Sequence, residues 1–142
     1  MSTRALIGKQ NADKTVTFIY CHFDGYPSGV GDTLIESYST PEQVDDLLAL
    51  GDLSVLGGEL GEKQDFNKRN RDWCLAYGRD RGETGTEAQT IDQEMYVREN
   101  LRGEEYKYIY SLSKNWVCYG NDDDEDDEEF TIKYPTTESS TT

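Results

Sequence analysis

The chain has 142 residues, a formal net charge of -15 and an apolar fraction of 35%, below the roughly 45–50% of globular domains, a range that also counts glycine. That length accommodates one domain, and 10 Tyr, 4 Phe and 2 Trp supply the large side chains a core needs. The acidic balance argues against a protein that tracks nucleic-acid phosphates; the single His excludes a site needing two; and Cys21, Cys74 and Cys118 form neither a disulfide framework nor a CxxC pair.

Ala5–Lys9 reads as a strand, Asn11–Lys14 as a turn and Thr15–Phe23 as a second strand. Val16, Phe18 and Tyr20 alternate with Thr17, Ile19 and Cys21, the period of two that a hairpin strand requires. The segment from Asp24 to Gly31 holds three glycines and Pro27, the composition of a shaped loop. A short helix is expected over about Asp32–Ser39. The next helix has its start written out: Thr40 as cap, Pro41 in the first position and Gln43 completing a capping box. Val44, Leu47 and Leu48 form its buried stripe and Gly51 ends it.

Asp52–Leu56 is expected to pack back, and Gly57–Arg71 to be a polar, exposed loop. Trp73–Tyr77 reads as a strand, Gly78–Thr90 as a loop, and Ile91–Leu101 as a helix with Ile91, Met95 and Val97 or Leu101 inward. Glu105–Leu112 and Trp116–Tyr119 form a second hairpin around Ser113-Lys114-Asn115, with Tyr106, Tyr108, Tyr110 and Leu112 on one face. The expected fold class is α+β: a small antiparallel sheet of about five strands, with two or three helices packed on one face.

Residues 1–120 carry 20 acids and 13 bases and form the expected single globular domain. Residues 121–142 read as an acidic, mostly flexible tail. Within it Asp122, Asp123, Asp124, Glu125, Asp126, Asp127, Glu128 and Glu129 are eight adjacent carboxylates, which repel one another and stay solvated. They are candidate partner-binding residues. A short strand at 130–134, with Phe130, Ile132 and Tyr134 alternating with polar residues, either returns to the body or docks on a partner. The acidic run lacks the spaced, Gly-turned pattern of a calcium loop, so no metal or cofactor is expected. The apolar runs are too short for a transmembrane helix, and Met1–Arg4 lacks a signal peptide's apolar core, which points to an intracellular protein without membrane association.

Tyr20-Cys21-His22-Phe23-Asp24-Gly25-Tyr26-Pro27-Ser28-Gly29-Val30-Gly31, then Leu50-Gly51-Asp52-Leu53-Ser54, then Tyr77-Gly78-Arg79-Asp80-Arg81-Gly82-Glu83 occur in that order. With the opening Ser2–Gly8 they resemble small proteins encoded by bacteriophages and prophages that carry a YCHxDGYPxxVG segment followed by GDLS and RDRGE. Phe23 stands where that pattern has Trp, and the acidic tail lies outside it. The resemblance transfers no catalytic residues. It implies an accessory gene product in the cytoplasm of a bacterial host, where host takeover and counter-defence are common roles.

Two clusters invite chemistry. His22 and Asp24, two apart at a strand end, either begin a general-base pair or serve structure, Asp24 fixing the turn while His22 packs at the sheet end. The sequence favours the structural reading. Arg79 and Arg81 either hold a phosphate or carboxylate, or pair internally with Asp80, Glu83 or Asp24, and pairing is favoured. If both loops share a sheet end, His22, Asp24, Tyr26, Arg79 and Arg81 become a candidate ligand-binding set.

Three functions follow. The leading one is a non-enzymatic protein that binds and inhibits a basic or nucleic-acid-binding host protein, through an acidic surface resembling DNA, without binding nucleic acid itself. The alternative is sequestration of a nucleotide signal by the DGYP and RDRGE loops. A hydrolytic enzyme using His22 and Asp24 ranks last.

Overall fold

The computed structural model describes residues 3–68, 70, 72–99, 101–120 and 130–133. The elements in order are β1 (Ala5–Gln10), β2 (Thr15–Cys21), a π-helical turn (Pro27–Gly31), α1 (Asp32–Ser37), α2 (Pro41–Leu48), β3 (Leu53–Val55), β4 (Leu75–Ala76), α3 (Tyr77–Arg81), β5 (Gln89–Asp92), α4 (Gln93–Arg98), β6 (Tyr106–Tyr110), β7 (Trp116–Gly120) and β8 (Phe130–Lys133). The fold is α+β, as the sequence implies. One mixed sheet runs β4-β3-β2-β1-β6-β7-β8, with β5 also paired to β2.

The first hairpin forms in the register that the alternation demands, from Ala5↔Cys21 to Gln10↔Val16. β1 then pairs in parallel with β6, from Ala5↔Tyr106 to Lys9↔Tyr110, and β2 meets β3 in parallel at Cys21↔Leu53. The sheet is therefore mixed rather than antiparallel. The far edge of β2 is shared: β5 pairs with Thr15–Phe18 and β3 with Cys21. The strand expected at 130–134 is β8, which pairs with β7 from Gly120↔Phe130 to Val117↔Lys133. The acidic residues 122–129 lie outside the described residues.

Alternation places side chains on two faces. On one, Ala5, Ile7, Ile19, Cys21, Tyr108 and Tyr110 pack with Leu34 and Tyr38 from α1 and its C-terminus and with Val44, Leu47 and Leu48 of α2. The α2 capping box is present in full: Gln43 N–H donates to Thr40 Oγ1, and the Gln43 side chain accepts from the Thr40 N–H. On the other face, Leu6, Val16, Phe18 and Ile109 pack around Tyr96 of α4. Helices thus cover both faces, not one. Gly8 makes the room: a Cβ there would lie 2.6 Å from Val16 Cγ1 and 3.1 Å from Tyr96 Oη.

Among the described residues eight strands stand against about five expected: β4 is the short core of the strand expected at Trp73–Tyr77, β8 is the one named at 130–134, and β3 and β5 are short segments with little periodicity. Residues 78–90 are not a continuous loop: Gly78–Arg81 belong to α3, and Gln89–Thr90 begin β5. β5 ends at Asp92, whose carboxylate accepts the Glu94 N–H and starts α4 there, not at Ile91. That change of phase turns Met95 outward, 47% exposed, and buries Tyr96 completely, its hydroxyl donating to the Tyr108 carbonyl. Leu112 likewise lies in the turn after β6, 59% exposed, rather than on the tyrosine face. The loop after β3 is not wholly exposed, since Gly57 is buried and Leu60 packs on the core. Among the described residues no helix is long and apolar enough to cross a membrane.

Candidate functional site

The loop after β2 is built by backbone constraints. Asp24 adopts φ 60, a left-handed conformation that few non-glycine residues take up. Gly25 then passes so close to the N-terminal strand that a Cβ would lie 2.7 Å from the Thr3 carbonyl oxygen. The Gly25 N–H donates to that same oxygen, Tyr108 Oη donates to the Gly25 carbonyl at 2.6 Å, and the Val30 N–H donates to the Asp24 carbonyl. The loop leads into the π-helical turn and α1, and it leaves Phe23 and Tyr26 40% and 39% exposed. Tyr26 Oη donates to Asp24 Oδ1 at 3.0 Å, and that carboxylate raises the phenol's pKa.

His22 and Asp24 form no dyad. The His22 Nδ1 lies 2.8 Å from Tyr20 Oη, and its ring stands edge-on to Phe23 with centroids 4.6 Å apart. The structural alternative for Asp24 is the observed one.

The two arginines of α3 are engaged internally. Arg79 Nε and Nη2 donate to Asp80 at 2.9 and 3.1 Å, while Nη1 and Nη2 donate to the carbonyls of Leu60 and Cys74, each at 2.8 Å. Asp80, its side chain fully buried, also accepts the N–H groups of Ala76 and Gln64. Burial opposes its charged form, but Arg79 and these two donors outweigh burial and hold the carboxyl below its ordinary pKa. Arg81 pairs with Glu83 and lies over the rings of Phe66 and Tyr77, at 4.7 and 5.1 Å from their centroids. Among the described residues no hydrogen bond, ion pair or ring contact joins Arg79 or Arg81 to His22, Asp24 or Tyr26. The five expected ligand residues thus do not form one set: His22 bonds Tyr20, Tyr26 bonds Asp24, Arg79 bonds Asp80 and Arg81 bonds Glu83.

A different set does converge. Tyr20 and His22 alternate onto the face opposite α1 and α2, and extending the Ala5↔Cys21 register by one residue places Arg4 beside His22. Arg4 acts on the Tyr20 phenol electrostatically and favours its ionised form. Arg102 lies over the Tyr20 ring at 4.6 Å, and its Nη2 is 3.4 Å from Asp52 Oδ2. Asp52 Oδ1 accepts the Tyr20 N–H at 3.0 Å. Burial is the main cause of the raised Tyr20 pKa, with the two arginines opposing it.

Arg102 owes its place to a buried pair in the preceding layer. Glu104, 1% exposed, accepts the N–H groups of Leu101 and Arg102, while Lys107 Nζ lies 3.5 Å from Glu104 and donates to the Val97 carbonyl. Burial lowers the Lys107 pKa against the attraction of Glu104. The sequence carried a signal for Tyr20 and His22 in the alternation of β2, and the register that adds Arg4 comes from the structure. The sequence carried none for Arg102, which arrives from 80 residues downstream of His22 on an irregular segment.

Among the described residues no group of three or more His, Cys, Asp or Glu is arranged to hold a metal ion. No protein-family model, curated protein or solved structure matches the chain.

Proposed function

We propose that the chain is a non-enzymatic binding protein that engages and inhibits a basic, nucleic-acid-binding protein of a bacterial host through the acidic outer surface of α1 and α2. One observation carries the reading. Between Lys14 and Lys63 the sequence has nine Asp and Glu but no Lys or Arg, and this stretch builds the whole helical layer on one side of the sheet. Asp32, Glu36, Glu42, Asp45 and Asp46 are all exposed on it. Lys9, which pairs with Asp45 at 2.8 Å, is the one base bound to these five among the described residues.

A helical layer whose carboxylates outnumber its bound bases five to one steers a basic partner and competes with a phosphate backbone for its groove. His22 bonds Tyr20 and Asp24 bonds Tyr26, so neither residue supports the other as a general-base pair. The test is affinity capture from host lysate on the immobilised full chain, with a salt gradient. A nucleic-acid-binding protein that elutes with salt, and that is lost from a Glu36→Gln, Glu42→Gln, Asp46→Asn variant of unchanged melting temperature, supports the reading. Capture equal in wild type and variant refutes it.

A further inference from the structure

We propose that Arg4, Tyr20, His22 and Arg102 form an oxyanion site at one end of the sheet, and that its ligand is a phosphate monoester carried on a planar ring, as in a nucleotide. This inference is independent of the acidic helical layer, which lies on the opposite face.

The first argument is charge. Two guanidinium groups meet at one aromatic pair, Arg102 stacked over the Tyr20 ring at 4.6 Å and Arg4 set by the strand register beside His22, whose Nδ1 lies 2.8 Å from Tyr20 Oη. One carboxylate answers them: Asp52 reaches Arg102 through a single contact at 3.4 Å and already accepts the Tyr20 N–H. Among the described residues Arg4 makes no ion pair. The cluster therefore holds one positive charge in excess, in a chain whose net charge is -15. An anion seated between the two forks would offset that excess.

The second argument is donor direction. A guanidinium has donors only, so Arg4 and Arg102 suit a ligand bearing acceptors, such as a phosphate oxygen. The third argument is the surface beside them. Phe23 stands edge-on to His22, 4.6 Å between centroids, and is 40% exposed on a loop fixed by backbone hydrogen bonds. An exposed ring beside an oxyanion site offers a stacking face for a base.

The site is tested on the full chain by calorimetric titration with adenosine 5′-monophosphate, inorganic phosphate and adenosine in phosphate-free buffer. The nucleotide should bind more tightly than phosphate, and adenosine should not bind measurably. Arg4→Gln and Arg102→Gln should each weaken nucleotide binding about tenfold or more, the scale of a lost charge-assisted contact. Arg81→Gln, outside the cluster, should leave it unchanged. Because the chain has a single His, the imidazole resonances of the wild-type protein give a readout independent of variant folding: titration with the nucleotide should shift them. The proposal is overturned by any of four results: no binding of nucleotide or phosphate at millimolar concentration, a silent imidazole, unaltered affinity in both Arg variants, or adenosine binding as well as its monophosphate. A nucleotide no tighter than inorganic phosphate overturns the assignment of a ring-bearing ligand.

Discussion

Removing the Asp80 carboxylate tests whether the RDRGE segment is a structural pin. Its two oxygens receive four donors, two from Arg79 at 2.9 and 3.1 Å and one each from Ala76 and Gln64 at 2.9 and 3.0 Å. The group ties the loop after β3 to the start of α3. Asp80→Ala strands two backbone N–H groups and leaves the Arg79 guanidinium, 17% exposed, without its counter-charge. Breaking a buried pair by removing one partner costs about 3–5 kcal/mol, a large share of the 5–15 kcal/mol typical of a domain. At roughly 3 °C per kcal/mol for this chain length, the melting temperature should fall by about 10 °C or more. The same pin carries a pH signature. The folded-state pKa of Asp80 is depressed, so its contribution is complete above the unfolded value, near 3.9, and is lost as pH falls through the lower folded value. Urea melts of wild type and Asp80→Asn should differ widely at pH 7 and converge as the pH drops below about 4. Variant and wild type melting within about 1 kcal/mol of each other at pH 7 would refute the argument, and would return Arg79 to the pool of ligand-binding candidates.

Burial pushes the Cys21 thiol up to about 12, and all three cysteines are free and buried. Iodoacetamide at pH 8 should therefore modify none of them in the native protein and all three in denaturant. Native-state labelling of Cys21 on the time scale of a free thiol would show that this core opens. Gly25→Ala would press a Cβ to within 2.7 Å of the Thr3 carbonyl oxygen, and should destabilise by about 1–3 kcal/mol in thermal melts. An unchanged melt would mean that the β2–α1 loop is not held against the N-terminal strand. Truncation after Gly120 removes β8 and its four register pairs with β7. At about 0.5–1.5 kcal/mol for each of about four ladder hydrogen bonds, stability should drop by roughly 2–6 kcal/mol while the transition stays cooperative. Loss of a cooperative melt would show that β8 is required for folding.

Where side chains repeat at a clear period, the sequence was legible. Hydrophobic alternation marked β1 and β2 as a hairpin and the two faces of β2, while the register that sets Arg4 beside His22 comes from the structure. The Thr40–Gln43 box marked the start of α2 to the residue. The failures share a cause: β3 and β5 have three and four residues, too few for periodicity to outweigh polarity, and both find their place by pairing with β2. The Met95 error came from the same source, since missing β5 moved the start of α4 and rotated its inward face onto Tyr96. Arg79 was legible as an ion-paired residue, but its second task, gathering the Leu60 and Cys74 carbonyls, depends on where a long irregular loop folds. For Arg102 the deciding feature is the buried Glu104–Lys107 pair, which in a charged stretch looks like ordinary surface.

The two charged features of the molecule meet through the sheet register. The row Cys21↔Ala5↔Tyr106↔Gly120↔Phe130 runs across the end of the sheet at which Arg4 and His22 sit. Residues 122–129 join β7 to β8 between Gly120 and Phe130, and Gly120 lies two strand spacings, about 10 Å, from β1. That separation slightly exceeds the Debye length at physiological salt, ~8 Å, and is far shorter than the ~30 Å at 0.01 M. Changing all eight residues to Asn and Gln should therefore strengthen nucleotide binding at the arginine cluster several-fold at 0.01 M salt and much less at 0.15 M, because the run repels the anion only where salt does not screen it. Thermal stability should stay nearly constant, since a block of adjacent like charges offers no native pairing to lose. Titration calorimetry of the variant at the two salt concentrations decides the matter. Equal affinities for variant and wild type at 0.01 M would show that the run exerts no field on the arginine end, and an equal gain at both salts would point to direct occupation of the site rather than to long-range repulsion.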